Sequence, residues 1–214
     1  MNDGIPSEST PQAQPPAAPP HRAGGLLRDA LETILPALLI VLIVNAFLAQ
    51  ATRVEGQSME PNLHDNQRLV IEKVSYHFHP PQRGDIVVIK SPSWVPVSFN
   101  KRVVAWVCAF LSLDCPMRLP DPLIKRVIGL PGETIEVRDG HVYVNGQVLL
   151  ESYLTQLTSG HHPPYVIRPG YVFVLGDNRG ASNDSRSFGE VALSDIIGRA
   201  WLRYWPPGQL GPVH

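Results

Sequence analysis

The run Gly56-Gln57-Ser58-Met59-Glu60-Pro61 puts a serine a few residues beyond an uncharged apolar segment, and Lys125 stands later among Leu123, Ile124, Val127 and Ile128. A serine hydroxyl is a weak nucleophile near neutral pH and needs a base within hydrogen-bond reach. Burial disfavours an ammonium and lowers its pKa, which can turn a lysine into that base. Arg126 cannot do so, because a guanidinium stays protonated. The other candidate bases are histidines, His64, His77, His79, His141, His161, His162 and His214, and none lies in a recognisable catalytic context. His64, six residues after Ser58, reads as a surface turn residue. Taken alone, Lys125 also reads as a snorkelling surface lysine. If Ser58 and Lys125 meet in space, the chemistry is acyl transfer through a Ser/Lys dyad.

The elements that position this pair begin with an anchor. From Thr33 to Thr52 no residue is charged, and about twenty residues at about 1.5 Å each cross a hydrocarbon core of about 30 Å. This predicts a transmembrane helix over 33–52, with Pro36 tolerated near its start and Asn45 a polar intruder. The competing reading is a cleavable signal peptide, since Ala49-Gln50-Ala51 has the small-x-small pattern of a processing site. The apolar stretch is long for such a peptide, and a proline-rich tail precedes it. Residues 1–32 hold six prolines in their first twenty positions among Ala, Gln and Ser, and read as a disordered tail. Orientation is weakly encoded, with Arg22 and Arg28 before the span and Arg53 after it. A formal net charge of -1 over 214 residues argues against a nucleic-acid partner.

Beyond the span, short runs rich in Val, Ile and aromatics read as strands: Arg68 to Val74, Asp85 to Lys90, Leu123 to Gly129, Thr134 to Arg138, His141 to Val144, Tyr171 to Leu175 and Ile196 to Tyr204. Asp139-Gly140 and Asn145-Gly146 mark tight hairpin turns. The expected fold class is mainly β, an antiparallel, partly closed barrel or sandwich over 53–214 behind one N-terminal transmembrane helix. Ser152 to Pro169 reads as a long connection. Cys108 and Cys115 read either as a short disulfide loop or as two unpaired thiols, and no Cys/His spacing resembles a zinc site. The apolar run 103–113 is too short to span and reads as an interfacial segment or a core helix.

Four blocks then follow in order: Gly56 to Leu63, Arg83-Gly84-Asp85-Ile86-Val87-Val88, Lys125 to Glu133, and Gly176-Asp177-Asn178-Arg179-Gly180-Ala181-Ser182-Asn183-Asp184-Ser185-Arg186. Together with the anchor they closely resemble bacterial signal peptidase I, the membrane-bound Ser/Lys endopeptidase that removes signal peptides from exported proteins. The resemblance covers the anchor and nearly all of 53–204. It implies Ser58 as nucleophile, Lys125 as general base, and a Ser182 hydroxyl that hydrogen-bonds the lysine. Asp184 and Arg186 would hold the site together, with Asp184 pairing to Arg186 or Arg179 so that no carboxylate restores the lysine's proton.

The resemblance further implies that Val54, Met59, Leu63 and Ile124 line small substrate pockets, although all four read equally well as core. It implies no metal and no cofactor. The implied partners are signal peptides of exported preproteins, the lipid bilayer and the nearby secretion machinery. The implied location is the cell (plasma) membrane, single-pass, with the catalytic domain on the extracytoplasmic side. Three positions depart from the family pattern. Gly56 stands where some members place an oxyanion-stabilising serine, Asn62 replaces a threonine and Glu133 an aspartate. Any second domain of larger relatives should be reduced to a hairpin and loop. The alternatives are a processing peptidase dedicated to one secreted partner, a self-cleaving Ser/Lys regulator of the SOS-repressor type, and a catalytically silent peptide-binding β module.

Overall fold

The computed structural model describes residues 32–41, 48–94, 98, 100–101, 104 and 121–213. The proline-rich tail, both cysteines and, apart from Val104, the apolar run 103–113 lie outside the described residues. The chain divides into two compact units, Met1–Leu42 and Ile43–His214. In the first, residues 32–41 are helical. Among the described residues no helix is long and apolar enough to cross a membrane.

The second unit is mainly β, and every strand pairing in it is antiparallel. Its first strand corrects the end of the expected helix. Residues Ala49–Arg53 form β1, paired with β2 (Arg68–Glu72) from Ala49 opposite Glu72 to Arg53 opposite Arg68. The backbone from Ala49 to Thr52 is therefore satisfied by a neighbouring strand rather than by a helical turn. Strands β3 (Ile86–Ile89), β4 (Leu123–Gly129), β9 (Tyr171–Leu175), β10 (Val191–Ala192), β11 (Ile196–Trp205) and β12 (Gly211–Pro212) complete the large sheet. Its order is β1-β2-β11-β3-β4-β9-β10, with β12 also on β11. The sheet does not close into a barrel, since its path ends at β1 and β10. Bulges in β11 after Ala200 and Arg203 bend it.

A smaller sheet, β7-β6-β5-β8, is built from β5 (Thr134–Arg138), β6 (His141–Val144), β7 (Gln147–Val148) and β8 (His162–Val166). Both sequence-predicted turns form. Asp139 and Gly140 take φ of 51° and 79°, Asn145 and Gly146 52° and 79°, the left-handed pair that a type I′ hairpin requires. Strand β8 corrects the reading of 152–169 as pure connection. Its Pro163-Pro164 removes two backbone donors, which hides a strand from a sequence reading, but β8 is an edge strand where proline is tolerated.

Alternation on β3 shows how the layers are filled. Ile86 and Val88 pack with Val54, Met59, Leu63, Leu69 and Ile71, whereas Val87 and Ile89 pack on the other side with Val127, Val172 and Val174. The large sheet is thus covered on both faces at its centre. The smaller sheet contributes Ile135, Val137 and Val142 to a third cluster with Ile128, Phe173 and Leu175, seating it on β4 and β9.

Candidate active site

Ser58 lies on a turn between β1 and β2 that three buried side chains pin down. Val54, Met59 and Leu63 are each at most 2% exposed and sit in the core cluster under β2 and β3. Leu63 N–H donates to Met59 O at 2.9 Å, and Val54 N–H to Gln67 O at 2.8 Å. Gly56 takes a φ of +82°, a backbone region that disfavours side chains, and its N–H donates to Asp65 Oδ1 at 2.9 Å. That conformation suits glycine at this position, two residues before Ser58. Ser58 itself is left half-buried, its carbonyl accepting from Asn178 N–H at 3.0 Å.

Lys125 comes from the middle of β4, an interior strand held by β3 on one side and β9 on the other. It is 2% exposed, which excludes the snorkelling reading. Its Nζ donates to Ser58 Oγ at 2.9 Å and to Ile124 O at 3.1 Å. Burial pushes the ammonium down from 10.5 to about 8; the Asp184 and Asp177 carboxylates oppose that fall and the Arg186 guanidinium adds to it. A proton shared at 2.9 Å, on an amine that is partly neutral near pH 8, is what a general base requires.

Asp184 pairs with Arg186, Nε to Oδ1 at 2.9 Å and Nη2 to Oδ2 at 2.8 Å, and caps the one-turn helix Ser185–Phe188. Burial pushes the carboxyl up, but hydrogen bonds from Arg186 and the Gly176 N–H, with the Arg186 charge, outweigh it and hold the carboxyl below its usual range. Arg179 is engaged elsewhere, on Glu151. Ser182 departs from expectation: its buried Oγ makes no hydrogen bond to Lys125, and the carboxylate it helps keep charged is that of Asp184. Ser182 packs against Gly176. A Cβ added at Gly176 would lie 2.2 Å from Ser182 Oγ and 2.5 Å from Ser58 O.

Sequence reasoning passed over a second layer of residues. Arg126, one position after Lys125, makes a bidentate pair with Asp177 at 2.8 and 2.7 Å. Asn62 Nδ2 donates to Asp177 Oδ2 at 2.8 Å and to Tyr153 O at 3.0 Å, tying the Ser58 turn to that pair. The departure from threonine at position 62 was the available signal, since an amide reaches two acceptors at once. Glu133, the other departure, binds Arg83 at 2.5 Å and the Leu130 N–H at 2.8 Å.

A cleft of about 150 Å³ opens beside the pair, lined by Thr52, Arg53, Glu55, Ser58, Asp121, Pro122, Leu123, Ile124 and Lys125. Of the four expected pocket residues, Ile124 lines this cleft, while Val54, Met59 and Leu63 lie in the core behind it. Among the described residues no group of three His, Cys, Asp or Glu side chains could hold a metal ion.

Residues 27–205 match the family described as signal peptidase, peptidase S26. The chain belongs to this family. It is 39% identical over 208 residues to the signal peptidase I of Leptolyngbya laminosa, covering 97% of this chain and 94% of that protein. The signal peptidase I of Bacillus caldolyticus is 34% identical over 184 residues, covering 79% and 87%. A solved signal peptidase I from Enterococcus faecalis V583 is 31% identical, with a TM-score of 0.41 over 56% of this chain and 97% of its own. Membership makes the chain a peptidase, and every residue of the Ser58–Lys125 arrangement falls within the matched region.

Proposed function

We propose that this chain is a membrane-anchored serine endopeptidase that removes N-terminal signal peptides from preproteins, with Ser58 as nucleophile and Lys125 as general base. The observation that carries the assignment of roles is the 2.9 Å contact between a buried Lys125 Nζ and Ser58 Oγ. Neutral Lys125 accepts the Ser58 proton as Oγ attacks the scissile carbonyl. The resulting ammonium returns that proton to the departing amine, leaving an ester between Ser58 and the signal peptide. Lys125, neutral again, takes a proton from water as it attacks the ester, and the ammonium then returns that proton to the departing Ser58 Oγ, freeing the signal peptide and restoring the enzyme. Ser58 N–H donates to no described acceptor, which leaves it available to the oxyanion. The side chain at position 56 contributes no second donor.

An extended peptide between 52–55 and 121–124 would place alternate side chains toward the cleft, whose small volume suits small residues. Ile124 would form its apolar wall, with Val54, Met59 and Leu63 as the rigid backing. Ser182, Asp184 and Arg186 would act by holding the 176–186 segment against the nucleophile. Anchoring in the plasma membrane, with this unit outside the cytoplasm and near the secretion machinery, is supported by the uncharged run from Thr33. With β1 beginning at Ala49, the span ends by Leu48. Ten residues then reach Ser58, at most about 35 Å at about 3.5 Å each.

The deciding experiment is preprotein cleavage in lipid or detergent by the wild type, Ser58→Ala, Lys125→Met and His64→Ala. The first two variants should lose activity by at least about 10³-fold. His64→Ala should retain it, since that side chain is half-exposed and 3.8 Å from Glu60. Cleavage surviving in Lys125→Met would remove the base from the mechanism. Alkaline carbonate washing should leave the full chain with the membrane pellet, and its release would remove the anchor.

A further inference from the structure

Two buried arginines stand next to the residues that hold the dyad. Arg126 follows Lys125 directly on β4, and Arg179 follows Asn178, whose N–H holds the Ser58 carbonyl at 3.0 Å. One short segment between β7 and β8 engages both. The Tyr153 ring lies over the Arg126 guanidinium, 4.0 Å from its carbon to the ring centroid. Tyr153 O also accepts from Asn62 at 3.0 Å. Glu151 grips Arg179 through two bonds of 2.9 and 2.5 Å, and Arg179 in turn donates to Gly176 O at 3.0 Å. Tyr153 OH donates to Glu151 Oε1 at 2.5 Å, joining the two grips. Burial and the Glu151 carboxylate push the phenol pKa up, so it remains a donor throughout the working pH range.

Granting the Ser58–Lys125 reading, we propose that Glu151 and Tyr153 are positioning residues for the reaction, a latch through which the smaller sheet's connection fixes Arg126 beside the base and Arg179 beside the nucleophile's carbonyl clamp. The two halves act on different partners. Tyr153 closes the Arg126–Asp177 pair, in which the two side chains are 3% and 0% exposed. Water or a displaced Arg126 would leave the Asp177 carboxylate uncompensated near Lys125 and favour the lysine's proton. The other charged groups facing Lys125 are Asp184 and Arg186 from the 184–188 turn and, around the cleft, Arg53, Glu55 and Asp121. None of them touches Tyr153 or Glu151 in a described hydrogen bond. Glu151 acts instead on Arg179 and the 176–179 turn, and so on the placement of Ser58 rather than on the charge of Lys125.

The test is steady-state cleavage of a preprotein by the full chain in detergent, from pH 6 to 10, with Tyr153→Leu, Tyr153→Phe and Glu151→Gln, each alongside its thermal unfolding. Tyr153→Leu should lower kcat about tenfold with KM within about twofold, and move the midpoint of the alkaline rise upward by about half a pH unit or more. Tyr153→Phe keeps the ring over Arg126 and should recover the midpoint and most of kcat. Glu151→Gln, close in shape to the native side chain, should lower kcat without moving the midpoint. Should Tyr153→Leu not fold, Glu151→Gln decides through kcat. Variants that melt earlier yet keep wild-type kcat and midpoint would reduce the latch to a structural brace and overturn the proposal. If the wild type itself leaves the preprotein intact, or Ser58→Ala cleaves it, the underlying reading fails instead.

Discussion

At the scale of single residues, the sheet around Lys125 disfavours its charge, which suits it to the proposed role of base. With the ammonium pushed to about 8, the neutral fraction at pH 6 is about one part in a hundred and at pH 9 most of the population. Preprotein cleavage should therefore rise with pH, about tenfold per unit below 8, and level off above it. Measured as kcat/KM, this reports the free enzyme; a profile flat from pH 6 to 9 would contradict a lysine base. Ser58 and Lys125 stood out as candidates from their local setting, one in a turn-forming run and the other in an apolar strand, but only the ordered blocks paired them; the 2.9 Å contact now brings them together. Tyr153 and Asp177 did not stand out. Asn62 meets them across 91 and 115 residues of chain, and no local pattern encodes such a meeting. Ser182 shows the converse limit, since a resemblance supplied a partner that its buried hydroxyl does not have here.

Among the elements, the tight constraint on the site is where the turn after β9 meets the Ser58 turn. Gly176 is the point of contact, and a methyl group there would sit 2.5 Å from both Ser182 Cβ and the Ser58 carbonyl oxygen. Relief requires moving the backbone of Ser58, the proposed nucleophile. Gly176→Ala should cost about 1–3 kcal/mol in overpacking and, because a displacement near 1 Å can cost about 10²-fold, lower kcat by about that factor. Gly180→Ala, four residues on with nothing within 4 Å of the added carbon, should leave kcat within about twofold. Equal losses in the two variants would mean that the whole turn, and not this contact, is sensitive. The strands were legible where apolar β-branched and aromatic residues run together, as in β3 (Ile86–Ile89) and β9 (Tyr171–Leu175). Strand β8 was masked by its prolines, and β1 by the apolar run that leads into it, whose hydropathy continues while its backbone has already joined β2.

Over the whole molecule, a mainly β unit behind a proline-rich tail and an apolar run was readable from composition and turn signals, because those are additive along the chain. How the two sheets share a core was not, since Ile128, Phe173 and Ile135 come together only once β4, β9 and β5 have paired. The buried Lys125 also leaves a mark on global stability. A folded pKa of about 8 against 10.5 for an exposed lysine means that the unfolded chain binds more protons between those values. Unfolding free energy contributed by this group therefore rises with pH across that window, and the full penalty is present below pH 8. At about 1.4 kcal/mol per pH unit it amounts to about 3 kcal/mol. Lys125→Met removes the charge while filling similar space, leaving half-exposed Ser58 free to hydrogen-bond water. At pH 7 the inactive variant should melt higher than the wild type by roughly 6–12 °C, at about 2–4 °C per kcal/mol. The gap should shrink steadily above pH 8 and vanish near pH 10.5. A variant that melts at or below the wild type at pH 7 would mean that the ammonium is compensated in the fold, and with it the lowered pKa on which the lysine's role as base depends.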